Sequence, residues 1–386
     1  MASPIRILSV FGTRPEAIKM APLVRLLSNT PGVESKLCVT AQHREMLDHA
    51  LQVFELKPDW DLDLMRSGQD LSDLTARVVQ GMKRILQEAS PDVVLVHGDT
   101  TTTFSVSLAS FYDKIPVGHV EAGLRTYDKY APYPEEMNRR MTDALSELHF
   151  APTNRARANL LAESIPEKSV CVTGNTAIDA LLWTSKRIER GALQTDSPLS
   201  ADDSERRIVL ITAHRRESFG EGFERLCAAF KELCERFPET LFVYPVHLNP
   251  NVREPVERHL SGLPNMKLLE PLSYAPFVEL MTRSTLILTD SGGIQEEAPS
   301  LGKPVLVLRE TTERPEAIEA GTAILVGVDT DRIVEEASRI LLSENTARKT
   351  APENPYGDGQ ASQRIVNALL EWSGRPRAYD VAPFLR

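Results

Sequence analysis

Short apolar runs alternate with helical stripes along this chain, in two successive series, and that alternation restricts the fold more than any single motif. Runs at Ile5–Phe11, 36–40, Val93–His97, 116–120, Leu148–Ala151 and 170–173 read as strands. Ala17, Met20, Ala21, Val24 and Leu27 recur at helical spacing after the first run, and Leu71, Leu74, Val78, Met82, Ile85 and Ala89 trace a longer amphipathic helix. The second series has runs at 207–213, 241–246, Met266–Leu269, Leu286–Thr289, 304–308 and 323–328, with a stripe from Phe223 through Phe230 to Phe237. Continuous apolar strands separated by helices demand a mostly parallel sheet covered on both faces. The predicted class is α/β, with two Rossmann-like doubly wound domains.

At 386 residues the chain exceeds one ordinary core, which agrees with two series. The expected domains are 1–172, with the last helix (about 360–386) packing back on it, and 173–359. The Ser-, Asp- and Pro-rich stretch 191–205 has no apolar period and reads as a loop at the boundary. Two such domains facing each other would set both groups of strand ends around one cleft. A net charge of −10 argues against a nucleic-acid surface but leaves a small anionic ligand open, since a few local cations can override a distant total. No apolar run approaches the ~20 residues that span a bilayer, and the start of the chain lacks a signal-peptide layout, so a cytoplasmic protein is expected. Cys38, Cys171, Cys227 and Cys234 show no metal-binding spacing and read as free thiols.

Charged residues stand just after the apolar runs, which is the sheet edge where open α/β folds bind ligands. Arg14 and Lys19 follow the first run, Asp99 the third and Glu121 with Arg125 the fourth; Glu135-Glu136 follow a Tyr-Pro turn. In the second series His214, Arg215 and Arg216 follow the first run, and Asp290-Ser291-Gly292-Gly293 leads into a helix that carries Glu296 and Glu297. A strand, two glycines and a helix start make a nest of backbone N–H groups suited to phosphate. Each residue also has a plainer reading. Asp99 would serve as a helix N-cap, Glu135 and Glu297 as helix-end charges, Arg14 as a surface charge and His214 as a satisfied hydrogen-bonding group. Convergence on one sheet edge favours a site. Arg14, His214, Arg314 and the nest would neutralise a diphosphate, leaving Asp99, Glu121 and Glu135 beside what it carries. No carboxylate cluster or His pair has metal-ligand spacing, so no metal is expected. Without a G-x-G-x-x-G run, a nicotinamide site is disfavoured as well.

Seven motifs, in order, carry a resemblance: Phe11-Gly-Thr-Arg-Pro-Glu-Ala-Ile-Lys19, Val96-His-Gly-Asp99-Thr, His119-Val-Glu121-Ala-Gly-Leu-Arg125, Pro134-Glu135-Glu-Met-Asn138-Arg139, Thr212-Ala-His214-Arg-Arg-Glu217, Asp290-Ser-Gly-Gly-Ile-Gln-Glu-Glu297 and Thr311-Thr-Glu-Arg314-Pro-Glu316. From about residue 5 to 371 the chain resembles the bacterial non-hydrolysing UDP-N-acetylglucosamine 2-epimerases. The resemblance implies a GT-B-type pair of domains, a homodimer, and reversible conversion of UDP-N-acetylglucosamine to UDP-N-acetylmannosamine by elimination and re-addition of UDP, with no cofactor. It implies that Arg14 and His214 contact the diphosphate and that Ser291, Gly292 and Gly293 cradle its phosphates. Glu297 would hold the ribose, Phe277 would lie against the uracil, Arg314 would complete the nucleotide site, and Lys19, Asp99, Glu121 and Glu135 would surround the sugar. Some members carry a regulatory UDP-N-acetylglucosamine site; Gln42, Gln69 and His247 are the matching positions here. Gly68 and Glu45 replace an Arg and a Gln of such members, which argues against strong activation. The competing readings are a UDP-sugar glycosyltransferase, a hydrolysing epimerase and a nucleotide-sugar-binding regulator.

Overall fold

The structure, a computed structural model, describes residues 3–40, 44–64, 68–203, 205–343 and 353–384. It divides into unit 1, Met1–Ala180 with Tyr356–Arg386, and unit 2, Leu181–Pro355. Unit 1 holds strands β1 (Ile5–Phe11), β2 (Val33–Val39), β3 (Trp60–Asp61), β4 (Val93–His97), β5 (Val117–Val120), β6 (Leu148–Ala151) and β7 (Val170–Val172), in spatial order β3-β2-β1-β4-β5-β6-β7. Unit 2 holds β8 (Ile208–Thr212), β9 (Leu241–Pro245), β10 (Met266–Leu269), β11 (Leu286–Thr289), β12 (Val305–Val307) and β13 (Ala323–Leu325), in order β10-β9-β8-β11-β12-β13. Every pairing in both sheets is parallel. Two doubly wound sheets flanked by helices are therefore what the alternation produces. Strand β3 escaped the sequence reading because two residues, one of them Asp61, make no apolar run.

Strand order reverses between β1 and β4 in one unit and between β8 and β11 in the other. At such a switch point the two following connections run to opposite faces and open a crevice at the carboxyl ends. Core contacts reach these ends. In unit 2, Phe230 meets the ring of Tyr244 edge-on at 6.1 Å, and the buried Tyr244 hydroxyl donates to Ala213 O at 2.6 Å, just past β8. The chain crosses between units within the helix Thr176–Glu189. The polar stretch after it belongs to unit 2, where the Ser197 hydroxyl donates to Glu279 and Lys267 pairs with Asp203 at 3.1 Å. Among the described residues no helix is long and apolar enough to cross a membrane, and all four cysteines are free.

The terminal helix Ala361–Trp372 packs on the helix Arg14–Ser28 and is capped from a distance. Buried Asp179 accepts the N–H groups of Ala361 and Ser362 at 3.1 and 2.7 Å. Burial pushes the Asp179 carboxyl up to about 6, against the pull of those donors. A raised value stabilises the fold below the ordinary 3.8, and that contribution is lost as pH rises through about 6. The shift corresponds to about 3 kcal/mol. Thermal unfolding should therefore show stability falling between pH 4 and 6.5, with a shallower fall in Asp179→Asn; equal slopes in the two chains would refute the assignment.

Candidate active site

In unit 1 the turns after β1 and β4 are tied by one buried carboxylate. Thr13 caps the helix Arg14–Ser28 in a capping box with Glu16, which places Arg14 at the first helical position. Glu16 Oε2 accepts from Gly12 N, Thr13 N and Thr13 Oγ1 at 3.1, 2.8 and 2.7 Å, and Oε1 accepts from the Thr100 and Thr103 hydroxyls at 2.7 and 3.0 Å. Gly12 admits no side chain, since a Cβ would lie 2.1 Å from Thr40 Oγ1.

Asp99 is not the N-cap of the next helix. Thr100 fills that place, its hydroxyl accepting from Thr103 N at 3.1 Å. The Asp99 carboxylate instead receives Arg139 Nη2 at 2.6 Å, while Asn138 Nδ2 donates to Asp99 O at 3.0 Å. Both partners lie on the helix Glu135–Leu145, whose first residue is Glu135. Of that acidic pair Glu136 is structural, accepting from Thr126 N and Tyr127 N, whereas Glu135 Oε2 is buried without a hydrogen-bond partner among the described residues.

After β5, Glu121 stands at φ +65°, a left-handed conformation costly for a side chain of this size. Both its oxygens accept from Lys19 Nζ, at 2.9 and 2.6 Å. His97 Nε2 lies 3.7 Å away, and burial pushes that imidazole down to about 3 although Glu121 pulls it up, so the ring is neutral. Arg125, counted with Glu121 among the charged segments, has a wholly buried side chain paired with Asp143 and Glu163. Lys19, from the helix after β1, thus meets Glu121 after β5, Asp99 follows the intervening β4, and Glu135 heads the helix that grips Asp99.

In unit 2 the residues after β8 and β11 interlock. Fully buried Asp290 accepts His214 N and Arg215 N at 2.6 and 2.7 Å. Ser291 precedes the helix Gly292–Glu297, and its side chain makes no capping hydrogen bond. A Cβ on Gly292 would meet the Arg314 guanidinium at 3.6 Å, so Arg314 lies over the nest, held there by Glu296. Buried Arg309 pairs with Glu217 and Glu313 and clamps the loop before Arg314; this pairing draws Glu313 down to about 2. Glu297 ends the same short helix, roughly 7 Å along the axis from its start. Half-buried Phe277 sits in the first turn of the helix Tyr274–Arg283. His247 stacks on His214 at 5.4 Å. Gln69 accepts from Arg77 at 3.5 Å, and Gln42 lies outside the described residues.

Glu16, His97, Asn138 and Arg139 were not singled out from the sequence as site residues. The Thr-x-x-Glu spacing signals Glu16 as a cap but not its reach to the second turn. Among the described residues no group of His, Cys, Asp and Glu could hold a metal ion.

Two Rossmann-like sheets, one in each unit, with polar turns at their switch points define an α/β fold of the GT-B class. A model of the family described as UDP-N-acetylglucosamine 2-epimerase matches residues 25–370. The chain is 56% identical over 374 residues to the UDP-N-acetylglucosamine 2-epimerase of Yersinia pestis, covering 95% of this chain and 98% of that one. It is 56% identical over 371 residues to that of Escherichia coli K12, with the same coverage. The crystal structure of UDP-GlcNAc 2-epimerase from Neisseria meningitidis bound to UDP-GlcNAc is similar at a TM-score of 0.83 and 53% identity, covering 95% of this chain and 99% of that one. A glycotransferase of kitacinnamycin, 15% identical at a TM-score of 0.63, shares the fold alone. The chain belongs to the UDP-N-acetylglucosamine 2-epimerase family and is accordingly an isomerase.

Proposed function

We propose that this chain inverts C2 of UDP-N-acetylglucosamine, giving UDP-N-acetylmannosamine without net hydrolysis. No carbonyl adjoins C2, so simple proton abstraction is unfavourable. Elimination avoids the difficulty: a base takes the C2 proton, the C–H electrons form the C1=C2 double bond, and the C1–O bond breaks with its electrons leaving on UDP. Re-addition reverses each step after C2 is protonated from the other face. The sequence balances without an oxidant.

The observation that carries this reading is the division of groups between the units. In unit 1 Lys19 pairs with Glu121 after β5, and Asp99 after β4 is held by the helix that Glu135 heads; in unit 2 backbone donors and cations follow β8 and β11. The reading assigns the nucleotide to Ser291, Gly292, Gly293, Glu297, Phe277, Arg314 and His214, the sugar to the unit 1 carboxylates and Lys19, and a diphosphate contact to Arg14. Preorganised donors on the departing charge and positioned acid–base groups are the two contributions such a step needs. The relative from Neisseria meningitidis was crystallised with UDP-GlcNAc, which supports the substrate class. The product would supply N-acetylmannosamine units for bacterial surface polysaccharide.

In D₂O, with UDP-N-acetylglucosamine alone, deuterium should enter C2 of both epimers while the UDP-sugar total stays constant. Release of free N-acetylmannosamine with UDP would mean a hydrolysing enzyme. An acceptor requirement without exchange at C2 would mean a glycosyltransferase, and neither exchange nor turnover a binding protein.

A further inference from the structure

Only one oxygen of the buried Asp290 carboxylate is used. Oδ2 holds the turn after β8 through two backbone N–H groups, while Oδ1 has no hydrogen-bond partner among the described residues and lies 3.4 Å from His214 Nδ1. Buried polar atoms left unpaired are uncommon and call for an explanation. The ring that Oδ1 faces is stacked on His247, and its side chain is 40% exposed.

We propose that Asp290 sets the tautomer and charge of His214: Nδ1–H donates to Oδ1, Nε2 is presented to a phosphate oxygen, and the ring carries both hydrogens while a diphosphate is bound. The proposal rests on the reading of unit 2 as the UDP site. A carboxylate on one nitrogen and a phosphate oxygen on the other are both acceptors, so only the doubly protonated ring satisfies them. The groups facing His214 are Asp290 from the end of β11, His247 from beyond β9 and Arg215 beside it. Burial, His247 and Arg215 push the imidazole below its ordinary value, and Asp290 alone pulls it up. A bound diphosphate adds negative charge and reverses that balance. Binding therefore takes up a proton, and the charged ring then steadies UDP as it departs. Asp290 acts through His214, which makes it a positioning residue.

Asp290→Asn is the informative variant. Its amide oxygen still accepts from the backbone, but its NH₂ then faces Nδ1 and forces the ring hydrogen onto Nε2. UDP binding is measured by calorimetry at about pH 7.5, where the terminal phosphate is almost fully ionised, in two buffers of different ionisation enthalpy. Imidazole ¹⁵N spectra of the intact chain report the tautomer. The wild type should take up a proton, with affinity falling by up to about tenfold per pH unit. Asp290→Asn and His214→Gln should bind UDP without that uptake, and Asp290→Asn should show the hydrogen on Nε2. Wild-type binding without proton uptake, or Asp290→Asn behaving as wild type, overturns the proposal. If His214→Gln and Arg314→Ala both bind UDP as wild type does, the UDP-site reading itself falls and the proposal with it.

Discussion

A Glu121→Gln enzyme should fold, bind UDP with near-normal affinity, and turn over about 10²–10⁴-fold more slowly, the usual worth of a positioned acid or base. Gln preserves the shape of the side chain and leaves the backbone at φ +65° unchanged. It cannot accept a proton at C2, and it meets Lys19 with a neutral amide where the carboxylate offered two charged acceptors. The cost to the fold is small because Lys19 keeps 25% of its side chain in solvent. Steady-state rates, UDP titration and deuterium wash-in at C2 check this together. A variant within about threefold of wild type in turnover would remove Glu121 from the proton transfers and shift the role to Asp99 or Glu135. Holding a Glu in the left-handed region costs of order 1 kcal/mol, a cost readily explained where the carboxylate is needed for chemistry.

Strands were legible wherever a run of residues had to be buried on both faces, as at β4, β6 and β11. Where half the residues face water the run breaks up, and β2, beginning at Val33 rather than near Lys36, shows the effect. Turn residues at the strand ends were legible by type, because fold class alone places them at a ligand-binding edge. Direction was not. Arg125 and Glu121 share a turn, yet one is buried in ion pairs and the other faces Lys19. Nor does sequence show pairs that exist only through strand adjacency. His214 and Asp290 are 76 residues apart and meet because β8 and β11 are neighbours. His97 looked like one more residue of an apolar strand, although it ends 3.7 Å from Glu121.

Arg125→Met should lower stability by about 3–5 kcal/mol, the usual consequence of removing one member of a buried ion cluster. For a unit of this size that is a fall of about 10 °C in melting temperature. The Arg125 fork reaches Asp143 at 2.7 Å and Glu163 at 2.9 and 2.8 Å, and Asp143 is almost wholly buried. Without the guanidinium, Asp143 keeps the His119 ring, 2.6 Å away. Burial pushes the Asp143 carboxyl up, but His119 and Arg125 outweigh it and hold it below the ordinary carboxylate range. A depressed carboxyl stabilises the fold above its unfolded value and loses that contribution as pH falls. Acid unfolding should thus begin at a higher pH in Arg125→Met. Arg125→Lys, which keeps the charge and loses the fork, should fall between the two chains. The damage should also reach the site, because His119 Nε2 donates to Gly98 O at 2.7 Å and so steadies the turn that carries Asp99. Turnover below the melting range should drop with UDP affinity unchanged. If Arg125→Met melts within about 1 kcal/mol of wild type, the cluster is not what supports that turn.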